Sequence, residues 1–212
     1  MILIGQFDSP YTRRVAVSMN VLGLPFTRNP LSVFGDAEAM RKLNPLGRVP
    51  SLVLDDGEVL IDSAAILDHL DELVGSERAL VPRSGQARRE ALRTIALATG
   101  AADKVVSLTF ETLLRPASVH HQPLIERYRV QLDSALAALE RVASPAWIDN
   151  GRPAQTAITT ACMICHLRLR TPEYMPAGRY RALDRLSADA EALPAFCASR
   201  PADSETIPAA KG

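Results

Sequence analysis

The sequence has no surplus of charge: 24 Lys and Arg are matched by 24 Asp and Glu across 212 residues. A protein that neutralises many phosphates needs a basic excess, so nucleic acid is not an expected partner. Long apolar runs are also missing. None approaches the roughly 18 residues of a membrane span, and no membrane partner is expected. No basic region followed by an apolar stretch marks a secretory signal at the N-terminus. Cysteine is scarce, three residues in all, and an odd number on a chain this long argues against a disulfide framework. These absences point to a cytoplasmic globular protein, long enough for one large domain or two small ones.

What is present changes character along the chain. MILIGQF reads as a strand, and Pro10 to Leu22 has helical spacing with Val15, Met19 and Leu22 on one face, stopped by Gly23. Phe26 to Leu31 predicts a second strand, made short and edge-like by Pro25 and Pro30. A short helix over Ala37 to Leu43 leads to the turn Asn44-Pro45-Leu46-Gly47. Ser51 to Leu54, the Asp55-Asp56-Gly57 turn and Val59 to Ile61 predict a hairpin, after which Ser63 is expected to cap a helix running to about Leu73. The order is β-α-β-α-β-β-α.

Beyond Gly75 no strand pattern is visible. Residues 76–85, with Pro82, Gly85 and several charges, read as a linker between a first domain over 1–75 and a second over 86–212. Gln86 to Leu114 predicts a long helix with Leu92, Ile95, Ala96, Thr99, Val106 and Phe110 as its apolar positions, ended by Pro116. Leu124 to Val142 predicts a second, burying Ile125, Tyr128, Leu132, Leu136 and Leu139. A turn-rich break from Ser144 to Pro153 holds the only tryptophan, Trp147. Thr156 to Leu169 is apolar enough to be a central buried helix, Tyr180 to Leu193 predicts another, and a loose tail is expected from Pro201. The fold class is an α/β domain followed by an all-α domain.

Three motifs, in this order, resemble the glutathione transferase family over nearly the whole chain. Ser9-Pro10-Tyr11-Thr12 is similar to the C-P-Y-C run of glutaredoxins with both cysteines replaced by hydroxyl residues. Asn44-Pro-Leu-Gly-Arg-Val-Pro-Ser-Leu52 resembles N-P-x-G-x-V-P, and Asp62-Ser63-Ala-Ala-Ile66 resembles E/D-S-x-A-I. The nearest flavour is that of small bacterial transferases opening S-P-x-x-R. The resemblance implies a thioredoxin-like N-terminal domain that binds glutathione as co-substrate, an all-α C-terminal domain facing a small electrophile, and a homodimer. It also implies a cis Val49-Pro50 bond, which on general grounds occurs in only about 5–6 per cent of X-Pro bonds. One departure stands in the sixth helix, where relatives open S/T-x-x-D and this chain reads Thr156-Ala-Ile-Thr159. Thr156 is expected still to cap, with a loss of about 1 kcal/mol.

Glutathione carries a thiol with a pKa of about 8.5, two carboxylates and an ammonium, and only the thiolate is a good nucleophile. Ser9, just before a proline at a helix start, is the catalytic candidate: its hydroxyl can donate to a sulfur anion while the helix N-terminus adds positive potential. Its plain alternative is a helix cap. Val49 and Pro50 are expected to offer backbone groups to the extended tripeptide, Asp62 to pair with the ammonium, Ser63 and the free N–H groups to receive a carboxylate, and Arg48 to meet the glycine carboxylate. Thr12 reads either as a helper donor beside Ser9 or, as is more common, as packing in the first turn. The adjacent Arg13 and Arg14 either attract an anionic ligand or, the commoner reading of paired arginines, form a solvated face. Val105, Leu108, Thr109 and Phe110 either line the electrophile site between the domains or belong to the core.

Cys162-Met-Ile-Cys165-His166 spells a covalent haem signature, but it lies in an apolar helical run where cysteine behaves as a small hydrophobe. No haem and no metal are therefore expected. The leading function is transfer of the glutathione thiolate to an electrophile. The alternatives are a non-catalytic binding protein of the same family and glutathione-dependent disulfide exchange, for which the first domain is expected to offer no thiol.

Overall fold

The chain begins with three apolar residues, Leu3 and Ile4 buried and Ile2 exposed, that extend as β1 (Ile2–Ile4) and then turn at Gly5 into α1 (Pro10–Leu22). This computed structural model describes residues 1–205. They divide into two units, Met1–Arg88 with the segment from Ala192, and Arg89–Glu191. Among the described residues no helix is long and apolar enough to cross a membrane.

In the first unit β1 and α1 are followed by β2 (Thr27–Asn29), α2 (Ala37–Leu43), β3 (Ser51–Val53), β4 (Val59–Ile61) and α3 (Ser63–Val74). This is the order the apolar periodicity predicts. The sheet runs β2-β1-β3-β4, so β2 is an edge strand, as its flanking prolines require. β1 and β2 are parallel, joined by the α1 crossover, whereas β1–β3 and β3–β4 are antiparallel. Gly57 (φ 92°) makes the β3–β4 turn, closed by Gly57 N–H to Leu54 O at 3.1 Å. Val15, Met19 and Leu22 are buried together as expected; full burial of such side chains is worth roughly 1.5–3 kcal/mol each. Gly23 in the left-handed region (φ 68°) ends α1, and Leu24 N–H reaches back to Met19 O at 2.9 Å.

The second unit contains most of α4 (Gly85–Thr112), with α5 (Gln122–Val142), α6 (Gln155–Arg170) and α7 (Arg181–Glu191). The break between α5 and α6 forms a two-residue ladder, β5 (Ile148–Asp149) with β6 (Arg152–Pro153), where no strand pattern was visible. α6 is enclosed over its first ten residues, in line with its apolar first half. α5 buries Ile125, Leu132, Leu136 and Leu139, while Tyr128 is half-buried.

Several expectations are corrected. The buried stripe of α4 is Thr94, Ala98, Ala101, Ala102, Val105, Leu108 and Thr109, not the face through Leu92, Ala96 and Phe110, which are exposed. Its small alanines carry less apolar signal than the exposed Leu92 and Phe110, which misdirected the periodicity. The α3 cap is Asp62 rather than Ser63, since the Asp62 carboxylate accepts Ala64 N–H at 3.2 Å. α6 starts one residue early at Gln155, and Thr156 does not cap it; Ala154 occupies the cap with no side-chain bond. The 76–85 stretch is pinned to α3, because Asp71 receives Leu80 N–H at 2.8 Å and Val81 N–H at 3.1 Å. Burial pushes the Asp71 carboxyl up, against the pull of those two N–H groups.

The end of the chain differs most. α8 (Pro194–Cys197) and the segment to Glu205 belong to the first unit, and Glu205 is buried rather than part of a loose tail. The rest of the expected tail, 206–212, lies outside the described residues. Cys197, exposed on α8, therefore gives the first unit a thiol that the sequence reading assigned elsewhere.

Candidate functional site

Strand register decides which loops meet. Ile4 pairs with Ser51, and Ser51 pairs with Ile61. The residues after Ile4, before Ser51 and after Ile61 consequently leave the sheet at one end. They are Gly5 to Ser9, Val49-Pro50 and Asp62-Ser63, so three segments far apart in sequence emerge side by side. Val49-Pro50 is cis.

Ser9 is half-buried with extended backbone angles (φ −70°, ψ 122°), and its Oγ accepts the Thr12 N–H at 3.3 Å. The capping alternative is therefore realised. It uses a lone pair and leaves the hydroxyl proton for another acceptor, so capping and donation are compatible. No acidic residue occupies the first turn of α1 to offset the positive potential of that terminus.

Thr12 is 0% exposed, as packing in the first turn requires. Its Oγ1 lies against Gly5, where an added Cβ would sit 2.6 Å from it and 2.9 Å from Val49 Cβ. Gly5 has φ 129° as well, so both its backbone and its lack of a side chain are needed to bring α1 up to the Val49-Pro50 loop.

The adjacent arginines overturn the solvated-face reading: Arg13 is 1% and Arg14 3% exposed. Arg14 donates to Ser63 Oγ from Nε at 3.2 Å and Nη2 at 2.7 Å. Ser63 Oγ in turn donates to Asp62 Oδ1 at 3.0 Å. The Ser63 hydroxyl, 0% exposed, is thus committed to holding the start of α3, and what remains for a ligand is its main-chain N–H. Asp62 is exposed, with both internal bonds on Oδ1 and Oδ2 outside them. Arg14 was missed because RR reads as surface charge; the signal available was the run Val15-Ala16-Val17 directly after it, which covers every direction around the helix and points to an enclosed α1. Arg48 is exposed, and its carbonyl accepts Asn44 Nδ2 at 2.9 Å, which fixes the loop before the cis bond.

In the second unit, Val105, Leu108 and Thr109 are buried and Phe110 is exposed. Cys162 and His166 are buried in α6, and among the described residues no three His, Cys, Asp or Glu are grouped to hold a metal.

Residues 3–78 match the family model of the glutathione S-transferase N-terminal domain. A glutathione transferase family member from Pseudomonas fluorescens Pf-5, solved with bound glutathione, is 32% identical, with a TM-score of 0.84 over 95% of this chain and 98% of that one. The chain belongs to the glutathione transferase family. A transferase from Methylobacterium radiotolerans, in complex with glutathione sulfonate, is 30% identical over 94% of each chain with a TM-score of 0.86. A maleylacetoacetate isomerase from Pseudomonas aeruginosa is 28% identical over 99% of this chain and 100% of its own length. The shared fold is the thioredoxin-like domain followed by a helical one.

Proposed function

We propose that this protein binds glutathione at the sheet end formed by Ser9, Val49-Pro50 and Asp62-Ser63 and transfers its thiolate to a small, apolar electrophile. The observation carrying this reading is the strand register, which gathers a hydroxyl donor, the cis Val49-Pro50 segment and a carboxylate at one end of the sheet. The residues fit the tripeptide's chemistry. Asp62 Oδ2 suits its ammonium, the N–H groups at the start of α3 suit a carboxylate, Arg48 suits the second carboxylate, and Val49 supplies main-chain groups.

The thiol loses its proton to solvent, and Ser9 O–H donates to the sulfur anion. The sulfur pair then forms the bond to carbon, and either a leaving group departs with its electrons or the adjacent carbanion takes a proton. Lowering the thiol pKa by two units requires about 2.7 kcal/mol. One hydrogen bond to a charged group supplies roughly 1.5–3 kcal/mol. Titrating the thiolate absorbance of bound glutathione tests the engine of the reaction: the pKa should lie about two units below 8.5, and Ser9→Ala should return most of the difference. Equal titration in both proteins removes Ser9 from the mechanism.

The full-length likeness to a maleylacetoacetate isomerase supports a second outcome of the same chemistry. The thiolate adds to a conjugated double bond, the adduct rotates and the thiolate leaves, so glutathione is recovered rather than consumed. Counting free thiol before and after turnover separates the two. Disulfide exchange is disfavoured because Ser9 cannot form a mixed disulfide. A non-catalytic role would follow from absence of glutathione binding at millimolar concentration. Function as a homodimer, tested by sedimentation, and a cytoplasmic location, where glutathione is kept reduced, complete the reading.

A further inference from the structure

Glu205 is 6% exposed, near the end of the described chain, and a buried carboxylate persists only where it is paired. Its partners all belong to the first unit. Oε2 accepts Ala202 N–H at 2.9 Å, within its own segment. Oε1 accepts Phe7 N–H in a long bond of 3.5 Å and forms an ion pair with Arg28 of β2. The Arg28 guanidinium lies over the Phe7 ring, 3.7 Å from its centroid. Phe7 is thus held twice by the same carboxylate, directly through its N–H and indirectly through the cation on its ring.

Phe7 is two residues before Ser9, and the turn between them is closed by Ser9 N–H to Gln6 O at 3.3 Å. The other end of the turn is fixed by Gly5 N–H to Asn29 O at 2.9 Å. The terminal segment is itself anchored on α1. Arg13 Nε donates to Ser199 O at 2.9 Å, and Asn20 Nδ2 donates to Ser199 Oγ at 2.9 Å. The segment and α1 therefore form one scaffold, to which the turn carrying Ser9 is tied through Phe7.

We propose that Glu205 is a positioning residue for Ser9, so that the C-terminal segment of the chain is part of the thiol site although it contributes no group to it. Without the Glu205 charge, Arg28 is drawn towards Asp8, the other carboxylate acting on it, which is the neighbour of Ser9. A pull at that point turns the Ser9 hydroxyl away from the sulfur it serves. The proposal rests on the thiolate reading given above for its catalytic consequence, though not for its structural one.

The experiment has two arms on the full chain, comparing wild type with Glu205→Gln and Glu205→Asp. In the ligand-free arm, amide exchange of residues 5–9 should quicken by about tenfold in Glu205→Gln, the loss expected when a hydrogen bond to a charged group goes. Amides of α3 and of the second unit should stay unchanged. In the ligand arm, the bound thiol should ionise at higher pH and kcat at pH 6.5 should fall about tenfold, recovering as pH rises, with KM little altered and Glu205→Asp intermediate. Unchanged exchange at 5–9 overturns the proposal. So does faster exchange with the wild-type pH profile, which would make the segment a structural strap only. A wild type that does not acidify the thiol instead overturns the thiolate reading and the catalytic half of this one, while the exchange arm still decides whether Glu205 holds the turn. Should Glu205→Gln fail to fold, Glu205→Met with Arg28→Met removes both charges together, and the same two readouts apply.

Discussion

At the starts of α1 and α3 the cap residue supplies its own oxygen, and both Ser9 and Asp62 keep contact with solvent. At the start of α6 the cap is Ala154, and the polar residues that follow, Gln155, Thr156 and Thr159, are buried. Gln155 Nε2 donates to Thr159 Oγ1 at 3.2 Å, so these groups serve each other. Both regions are rich in polar residues at helix N-termini, yet only the first leaves hydrogen-bonding capacity directed outward. Residue type at a helix start does not separate a ligand site from a joint between helices; the direction in which the remaining lone pairs and protons point does.

That contrast can be broken most forcefully at Arg14. Arg14→Met removes both donors to Ser63 and leaves a buried hydroxyl and cap without support, at a cost of about 2–3 kcal/mol in denaturant unfolding. Glutathione affinity measured by calorimetry should fall with it. Lost stability with intact affinity would take the start of α3 out of the ligand site. Asp62→Asn is a finer cut, because asparagine caps as well as aspartate. Stability should move by a few tenths of a kcal/mol at most while affinity drops about tenfold through loss of the charge-assisted contact.

The second region should respond in the opposite sense. Ala154 has cap-compatible angles (φ −73°, ψ 164°), so Ala154→Ser should stabilise it by about 1 kcal/mol and leave glutathione affinity alone. The smallest effect concerns Glu111, which accepts His121 N–H at 2.8 Å and Arg115 Nη1 at 2.6 Å. These bonds, the His121 N–H first, draw its carboxyl below the ordinary range. A lowered folded-state pKa contributes stability above the unfolded value near 4.3 that is lost as pH falls through the folded one. Amide exchange at His121 should therefore quicken in that acid window, and Glu111→Gln should flatten the dependence.

The first unit was legible because its signals are local. Gly23, the Asp55-Asp56-Gly57 turn and the alternating apolar runs each act within a few residues, and the element order follows from them. The site candidates were legible for the same reason, as motifs at helix and strand starts. The second unit was harder. Alanines make the buried stripe of α4, and a stripe of small residues carries little contrast against exposed Leu92 and Phe110. The cap on α7 was invisible too, since Glu140 of α5 accepts Ala182 N–H and Leu183 N–H at 2.9 Å each from more than forty positions away.

By itself the sequence determined the chemistry available: a hydroxyl in place of a redox thiol, a Val-Pro step before a strand, and a carboxylate at a helix start. Tertiary structure alone decided how those groups are used. It enclosed Arg13 and Arg14, turned the Ser63 hydroxyl inward, gave the α3 cap to Asp62 and brought Glu205 back to Phe7. Propensity and periodicity report interactions between near neighbours, whereas the partner of a buried charge is chosen by whichever distant segment desolvates it.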